Sequence, residues 1–144
     1  MTAQYNKLAS TLRARNYIHN PADATTAAKV AWVEMGRNFL ALATLVSGTG
    51  ILTFKIFAAT DSSGSNPTEV KAHATPTVAD AAGDQLVLET SAEEVLAALA
   101  GATHVAVEID CDHADDIVSV VYVNEGAGQG GRFAYDGLTA DVIA

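Results

Sequence analysis

The sequence predicts a mainly β protein, an antiparallel β-sandwich or jelly roll with one short helix and an extended N-terminal arm. About seven or eight short segments are rich in β-branched, aromatic and apolar residues, and turn-forming residues cluster between them. Residues 104–111 show the clearest period-two alternation. Short strands separated by turns are typical of sandwiches and jelly rolls. A chain of 144 residues is long enough for one domain with its own core.

The composition divides the chain into three parts. Residues 1–24 are polar, contain an Asn-Pro breaker and form the predicted arm, with a short helix expected around residues 8–15. Residues 25–125 form the predicted β-sandwich domain. Residues 126–144 form a glycine-rich link and a C-terminal tail.

The first strands of the domain are expected between residues 26 and 46, with a tight turn at Gly36-Arg37-Asn38. Alanine is abundant there and a helix competes, but Gly36 would cost that helix about 1 kcal/mol relative to alanine. Two strands are therefore favoured. Residues 47–50 predict a hairpin turn into a half-buried strand over residues 51–60. That strand places three apolar residues on one face, Leu52, Phe54 and Ile56.

A turn, an edge strand, another strand and a short helix follow. Residues 61–67 are a dense turn signal, and residues 69–74 alternate as an edge strand does. Residues 86–89 alternate in the next strand. Ser91 has the form of an N-cap with acids behind it, so we expect a helix that stops before Gly101. Three of its residues are expected to face the core, Val95, Leu96 and Leu99.

The last predicted strands flank an acidic turn. In residues 104–111, four residues are expected on the core side, Val105, Val107, Ile109 and Cys111. Cys111 is the only cysteine, so no intrachain disulfide is possible and a buried, inert thiol is expected. Residues 112–116 form the acidic turn, and residues 117–123 return as an apolar strand.

Charge is uneven along the chain. Residues 1–40 hold five basic and two acidic residues, net +3, whereas residues 41–144 hold three basic and fifteen acidic residues, net −12, which together give −9. An acidic body repels phosphate backbones, so a nucleic-acid binder is not expected. A basic leader could dock onto an acidic partner surface, or it could simply be solvated.

No membrane segment is expected, because the apolar stretch from residue 39 to residue 52 is interrupted and falls short of the roughly 20 residues that span a bilayer. The N-terminal residues lack the basic-then-apolar order of a secretory signal. We therefore expect a protein made and kept in a cytoplasm.

Two motifs could bind a ligand, but the sequence around each of them does not support that function. Gly126, Gly128 and Gly131 satisfy G-x-G-x-x-G, but only thirteen residues follow and no βαβ unit surrounds them, so a hinge or mobile loop is expected. A second set could offer oxygen ligands to calcium or magnesium. Its spacing is not that of an EF-hand, and an ordinary solvated acidic turn is favoured. This set consists of Asp110, Asp112, His113, Asp115 and Asp116.

The sequence contains few residue arrangements that are typical of catalytic sites. The sequence has no Gly-x-Ser-x-Gly elbow and no HExxH motif. Glu93 and Glu94 are explained by the charge preference of a helix N-terminus, and His104 falls on the polar side of its strand. We therefore expect no enzyme, no cofactor and no metal.

Several segments together form a pattern of short strands with one Ala-Thr-Asp-x-x-Gly turn. They are residues 32–35, residues 39–43 leading into Gly48, residues 54–64, the acidic helix-turn at 91–96, and residues 104–109. In these segments the chain resembles small β-sandwich virion proteins of tailed bacteriophages that decorate or cement the capsid. The resemblance covers residues 30–124. It implies a sandwich that sits on a phage head, usually as a symmetric oligomer, and holds capsid subunits together.

The sequence hypothesis is therefore a structural virion protein that binds the outside of a phage capsid and stabilises the major capsid protein lattice. We expect a homo-oligomer, a trimer or dimer, on the capsid surface. The residues expected to contact the major capsid protein or a sister subunit are Lys7, Arg13, Arg15 and Tyr17. The alternatives are a carbohydrate- or receptor-binding module, an enzyme that uses the acidic turn with a metal, and a tail or neck component.

Overall fold

The structure, a computed structural model, describes residues 12–126. Over these residues the chain forms nine strands, a 3-10 turn (Pro76–Val78) and one α-helix, α1 (Ala92–Ala98). In chain order the strands are β1 (Leu12–His19), β2 (Ala28–Lys29), β3 (Val33–Glu34), β4 (Asn38–Ser47), β5 (Ile51–Ala59), β6 (Thr68–Ala72), β7 (Gln85–Ser91), β8 (His104–Cys111) and β9 (Ile117–Glu125).

The strands form two antiparallel sheets. Sheet A has the strand order β1-β9-β4-β7, and sheet B has the order β2-β8-β5-β6, with β3 also paired to β8. The predicted mainly β fold, two antiparallel sheets with one short helix, is confirmed. The division into arm, domain and tail stays a prediction, since residues 1–11 and 127–144 lie outside the described residues.

Alternating residues of the two sheets meet in one core, as period-two strands with one buried face require. In β4, four residues from Phe39 to Leu45 are fully buried. Phe54 and Ile56 face them from β5. The four predicted core positions of β8, including Cys111, are all buried, but Ala106, predicted on the polar side of the strand, is buried as well.

Tyr122 of β9 joins the two sheets through the core. Its ring centroid lies 4.9 Å from that of Phe39 and 4.9 Å from that of Tyr17. Its hydroxyl accepts a hydrogen bond from the N–H of Val107 in sheet B at 2.8 Å and donates one to the carbonyl of Ala31 at 3.1 Å. One buried hydroxyl therefore satisfies a donor and an acceptor of the facing sheet.

The backbone groups that Tyr122 binds lie at an irregularity in the pairing with β8. Lys29 lies opposite Glu108 and Val33 lies opposite Val105, so the β2–β3 segment advances four residues while β8 advances three. An extra residue of this kind disrupts a ladder locally. Buried backbone groups need hydrogen-bond partners. At this irregularity the Tyr122 hydroxyl is the partner of the Val107 N–H and of the Ala31 carbonyl.

Two predictions near the strand ends are wrong. Residues 12–15, expected in a helix, belong to β1, which pairs with β9 over its whole length. The narrow apolar stripe of the expected helix offers less than this pairing does. Residues 47–50, expected as a hairpin turn, carry the chain from sheet A to sheet B, and β4 pairs with β7 and β9 rather than with β5.

The predicted facing of β5 holds for Phe54 and Ile56 but not for Leu52. The register of β5 against β8 shifts between Ile51 and Thr53. Leu52 is therefore 45% exposed, and Ile51 takes the buried position. A one-residue shift moves a side chain to the other face of a sheet.

The helix begins as predicted. The Ser91 hydroxyl accepts a hydrogen bond from the N–H of Glu94 at 3.3 Å, and the Glu94 carboxylate accepts one from the N–H of Ser91 at 2.9 Å, which is a capping box. Val95 is buried and Leu99 packs against the core, but Leu96 is 51% exposed, so its predicted core position is wrong. Lys71 of β6 binds the Glu94 carboxylate at 2.8 Å.

Replacing Tyr122 with phenylalanine should lower the free energy of unfolding by roughly 1–3 kcal/mol, because the N–H of Val107 and the carbonyl of Ala31 lose a buried partner. Urea unfolding followed by circular dichroism measures the change. Tyr17→Phe is the control, since it also removes one hydroxyl while keeping the ring contact with Tyr122. Equal losses in the two variants would contradict the role of the Tyr122 hydroxyl.

Stability should also depend on the ionisation of Glu94. Lys71, with the N–H of Ser91 and the hydroxyl of Thr90, lowers the pKa of Glu94 from 4.5 to about 2. Because the folded pKa is depressed, the carboxylate stabilises the fold above pH 4.5, and this contribution is lost as the pH falls through the window between 4.5 and about 2. In that window the unfolding free energy of Glu94→Gln should fall less steeply than that of the wild type. Lys71→Met should give an intermediate slope, and identical slopes for wild type and Glu94→Gln would refute the assignment.

Candidate interaction surface

The acidic segment between β8 and β9 holds the crossover between the two sheets. Asp116 is only 1% exposed, and its carboxylate accepts hydrogen bonds from the N–H groups of Thr49 at 3.0 Å and Gly50 at 3.2 Å. Gly48 approaches the same carboxylate with φ +128°, and a Cβ there would overlap it. Asp112 accepts a hydrogen bond from the Thr49 hydroxyl. The expectation of an ordinary solvated turn is therefore wrong for Asp116.

The same segment offers little to a cation. Within residues 12–126, no three or more His, Cys, Asp or Glu side chains are grouped so that they could hold a metal ion. The Asp116 oxygens already accept two backbone hydrogen bonds, while Asp115 points to solvent, its side chain 92% exposed.

The thiol of Cys111 is not poised for nucleophilic chemistry. Burial, with smaller contributions from Asp116, Asp110 and Asp112, raises the pKa of this thiol to about 12. Since the thiolate is the reactive form, the side chain is an inert part of the core, as the sequence predicts.

Among the described residues, 12–126, no helix has both the length and the apolar character that a membrane-spanning helix needs.

The structure places three of the four predicted partner-binding residues on one strand. Arg13, Arg15 and Tyr17 project from the face of β1 that also carries the buried His19, opposite the buried residues of β9. The Tyr17 ring is half-buried against the core. Lys7 lies outside the described residues. Partner binding by these four residues stays a prediction, but residues 12–19 are an edge strand of sheet A.

The most distinctive surface of the molecule is the outward face of sheet A. Its central positions lie side by side in register across β9 and β4, and they alternate with core residues of the same strands. Apolar residues of the two outer strands continue it on either side. We call this the outer sheet face, and its apolar members are Leu40, Leu42, Val121 and Val123 in the centre, with Ala14, Ile18 and Val87 beside them.

Most polar residues of the outer sheet face lie toward its two ends, and Asn16 of β1 lies beside Val121 in the middle. At one end Glu125 lies 3.6 Å from the Arg37 guanidinium, and Glu89 lies one row further in, beside Leu40. Beside this end an open cleft of about 510 Å³ reaches α1, with Leu12 among its lining residues. The other end carries the uncharged residues Thr44 and Ser119, next to the protruding Ile18, which is 61% exposed. The central four residues contain no charge.

The outward face of sheet B is different. Charges of alternating sign cross its strands, with Lys29 2.9 Å from Glu108 and Lys55 3.0 Å from Glu69. The Lys29 ammonium also lies 4.3 Å from the centre of the Phe57 ring. Such a face suits water, as expected for the outer side of an antiparallel sheet.

One signal in the sequence pointed to the outer sheet face. Residues 39–46 and 117–123 are apolar at nearly every position rather than at every second one. Near-continuous apolar strands are typical of sheets that are covered on both faces. Sequence reasoning missed that these two strands would be neighbours.

Comparisons with known proteins identify no family. No protein-family model matches the chain, and no curated protein matches it. Among solved structures, one from a study of Bacillus endospore appendages, described as disulfide-linked pili, is 16% identical over 87% of this chain and 96% of its own, with a TM-score of 0.44. Another, from the cyanophage Pam1 capsid asymmetric unit, is 10% identical over 85% of this chain and 89% of its own, with a TM-score of 0.36. Both likenesses are weak.

Replacing Asp116 with alanine should lower the free energy of unfolding by roughly 2–4 kcal/mol, because two backbone N–H groups lose their acceptor in a buried site. Thermal and urea unfolding measure it. Asp115→Ala is the matched control and should change stability by less than about 0.5 kcal/mol, since its side chain is exposed. Millimolar calcium should leave the melting temperature of the wild type unchanged; a rise that Asp116→Ala abolishes would show that this carboxylate serves a cation instead.

Proposed function

We propose that this chain is a structural virion protein that binds the outside of a phage capsid and cements the lattice of the major capsid protein. The observation that carries the proposal is the outer sheet face, a broad apolar surface with no charge at its centre. Contiguous exposed apolar patches of this kind mark sites of interaction with other proteins.

The contrast between the two outward faces supports a binding role. Sheet B carries an ion-paired surface, whereas the equivalent positions of sheet A carry Leu40, Leu42 and Val121. Leaving such residues half-exposed costs solubility and makes the outward face of sheet A prone to aggregation. A protein that works inside an assembly covers that surface.

The chemistry of the described residues supports a role in binding rather than in catalysis. Cys111 is held as a thiol, and Asp116 serves the crossover. A cement protein needs no reaction. It stabilises a shell by binding the closed lattice more tightly than the open one, and the resemblance of residues 30–124 to capsid decoration proteins points to the same role.

The carbohydrate- or receptor-binding alternative is disfavoured. It requires exposed aromatic side chains gathered on one face. Every aromatic side chain between residues 12 and 126 is buried or half-buried: Tyr17, Trp32, Phe39, Phe54, Phe57 and Tyr122.

The proposal is tested by mixing the purified chain with purified heads, stripped of this chain, of the phage that encodes it. We expect saturable co-sedimentation at a fixed ratio to the major capsid protein and a higher temperature of head opening. A chain that stays in the supernatant at all concentrations would overturn the proposal.

The contribution of the N-terminal residues before β1 is tested separately by deleting residues 1–11. This deletion removes Lys7 and leaves β1 in place, whereas a deletion that continued through residue 19 would strip an edge strand from sheet A. We expect weaker head binding with unchanged unfolding. Unchanged head binding would show that Lys7 takes no part, and Arg13→Ala, Arg15→Ala and Tyr17→Ala would then test the remaining predicted residues one at a time.

A further inference from the structure

We infer that the outer sheet face is covered by a second copy of this chain, packed face to face about a two-fold axis that runs across the strands. The inference rests on the proposed function for its setting, a virion assembly. It assigns this face to a second copy and leaves contact with the capsid to the remaining surface of the dimer. Size, charge and shape each support it.

The size of the face matches the smallest specific interfaces. Four strands spaced about 4.8 Å apart and eight residues long cover roughly 500 Å² on each copy. Two copies would therefore bury on the order of 1,000 Å², the lower bound for a specific protein–protein interface. Two sheets that pack in this way form the same kind of contact as the two layers of a sandwich.

The charge pattern limits how two copies can meet. Each copy carries a formal charge of −9, so two copies repel unless they meet through an uncharged surface. The central residues of the outer sheet face provide that surface. With the axis across the strands, Glu125 lies over Ser119 of the other copy and Glu89 lies over Val87, so that neither acid faces an acid. An axis along the strands would instead bring together the two ends that carry Glu125.

The same axis also matches shapes. It places β1 over β1 of the second copy with its direction reversed, so that the row of Ile18 lies over the row of Leu12. Ile18 protrudes, 61% exposed, and Leu12 lines the 510 Å³ cleft at the opposite end of the face. Each copy therefore offers a projection and a recess to the other, which is the self-complementarity that a two-fold interface requires.

Sedimentation velocity of the purified chain over a concentration series tests the inference. The 14.9 kDa chain should sediment as a dimer, and Val121→Lys should sediment as a monomer with an unchanged β circular dichroism spectrum. Thr53→Lys is the matched control, because it adds the same charge at a half-exposed strand position of sheet B, and it should remain a dimer. Should Val121→Lys fail to fold, Val121→Thr keeps the shape of the side chain and should raise the dimer dissociation constant about tenfold.

A monomeric wild type, or a folded Val121→Lys that still dimerises, would overturn the inference. So would a Thr53→Lys that sediments as a monomer, because the interface would then lie on sheet B. These outcomes are separate from the test of function. A monomer that co-sediments with heads would remove the dimer and leave the capsid role, with the lattice as the occupant of the face. A dimer that does not bind heads would do the reverse.

Discussion

The hydroxyl of Tyr122 is the contact on which the arrangement of the two sheets depends. It lies in the core, yet it satisfies the N–H of Val107 and the carbonyl of Ala31 across the gap between the sheets. Burial raises the pKa of this hydroxyl well above its ordinary value of 10, so it stays protonated and can donate. A buried polar group that is fully satisfied specifies one arrangement, because other packings leave its partners unpaired.

Two further side chains, Asn124 in β9 and Asp116 just before it, also fix the position of this strand. The Asn124 side chain accepts a hydrogen bond from the N–H of Gly36 at 2.9 Å and donates one to the carbonyl of Glu34. At the other end, Asp116 holds the crossover at residues 49 and 50. The strand is thus secured to the rest of the chain at its start, middle and end, and it lies at the centre of sheet A between β1 and β4. Its outward residues, Val121 and Val123, therefore lie on a strand that is paired on both sides.

The elements that the sequence predicted are those whose signals are local. The N-cap at Ser91, the turn at residues 61–67 and the alternation in β8 depend on neighbours within a few residues, and all three are present. The predictions at residues 12–15 and 47–50 are wrong because their outcome depends on distant strands. Residues 12–15 pair with the end of β9, and residues 47–50 lead into a strand whose partners are β6 and β8.

By itself, then, the sequence determined the class of fold, the inert thiol at Cys111, the short capped helix and the acidic character of the body, since each follows from composition or short-range pattern. Only the tertiary structure decided which apolar residues face water. Leu42 and Val121 belong to two apolar runs that lie far apart in the chain, and their outward sides form one surface because β4 and β9 are neighbours. The tertiary structure also decided the environment of Asp116, which the sequence predicted in a solvated turn. Its carboxylate is buried, because backbone N–H groups from a distant segment satisfy it there.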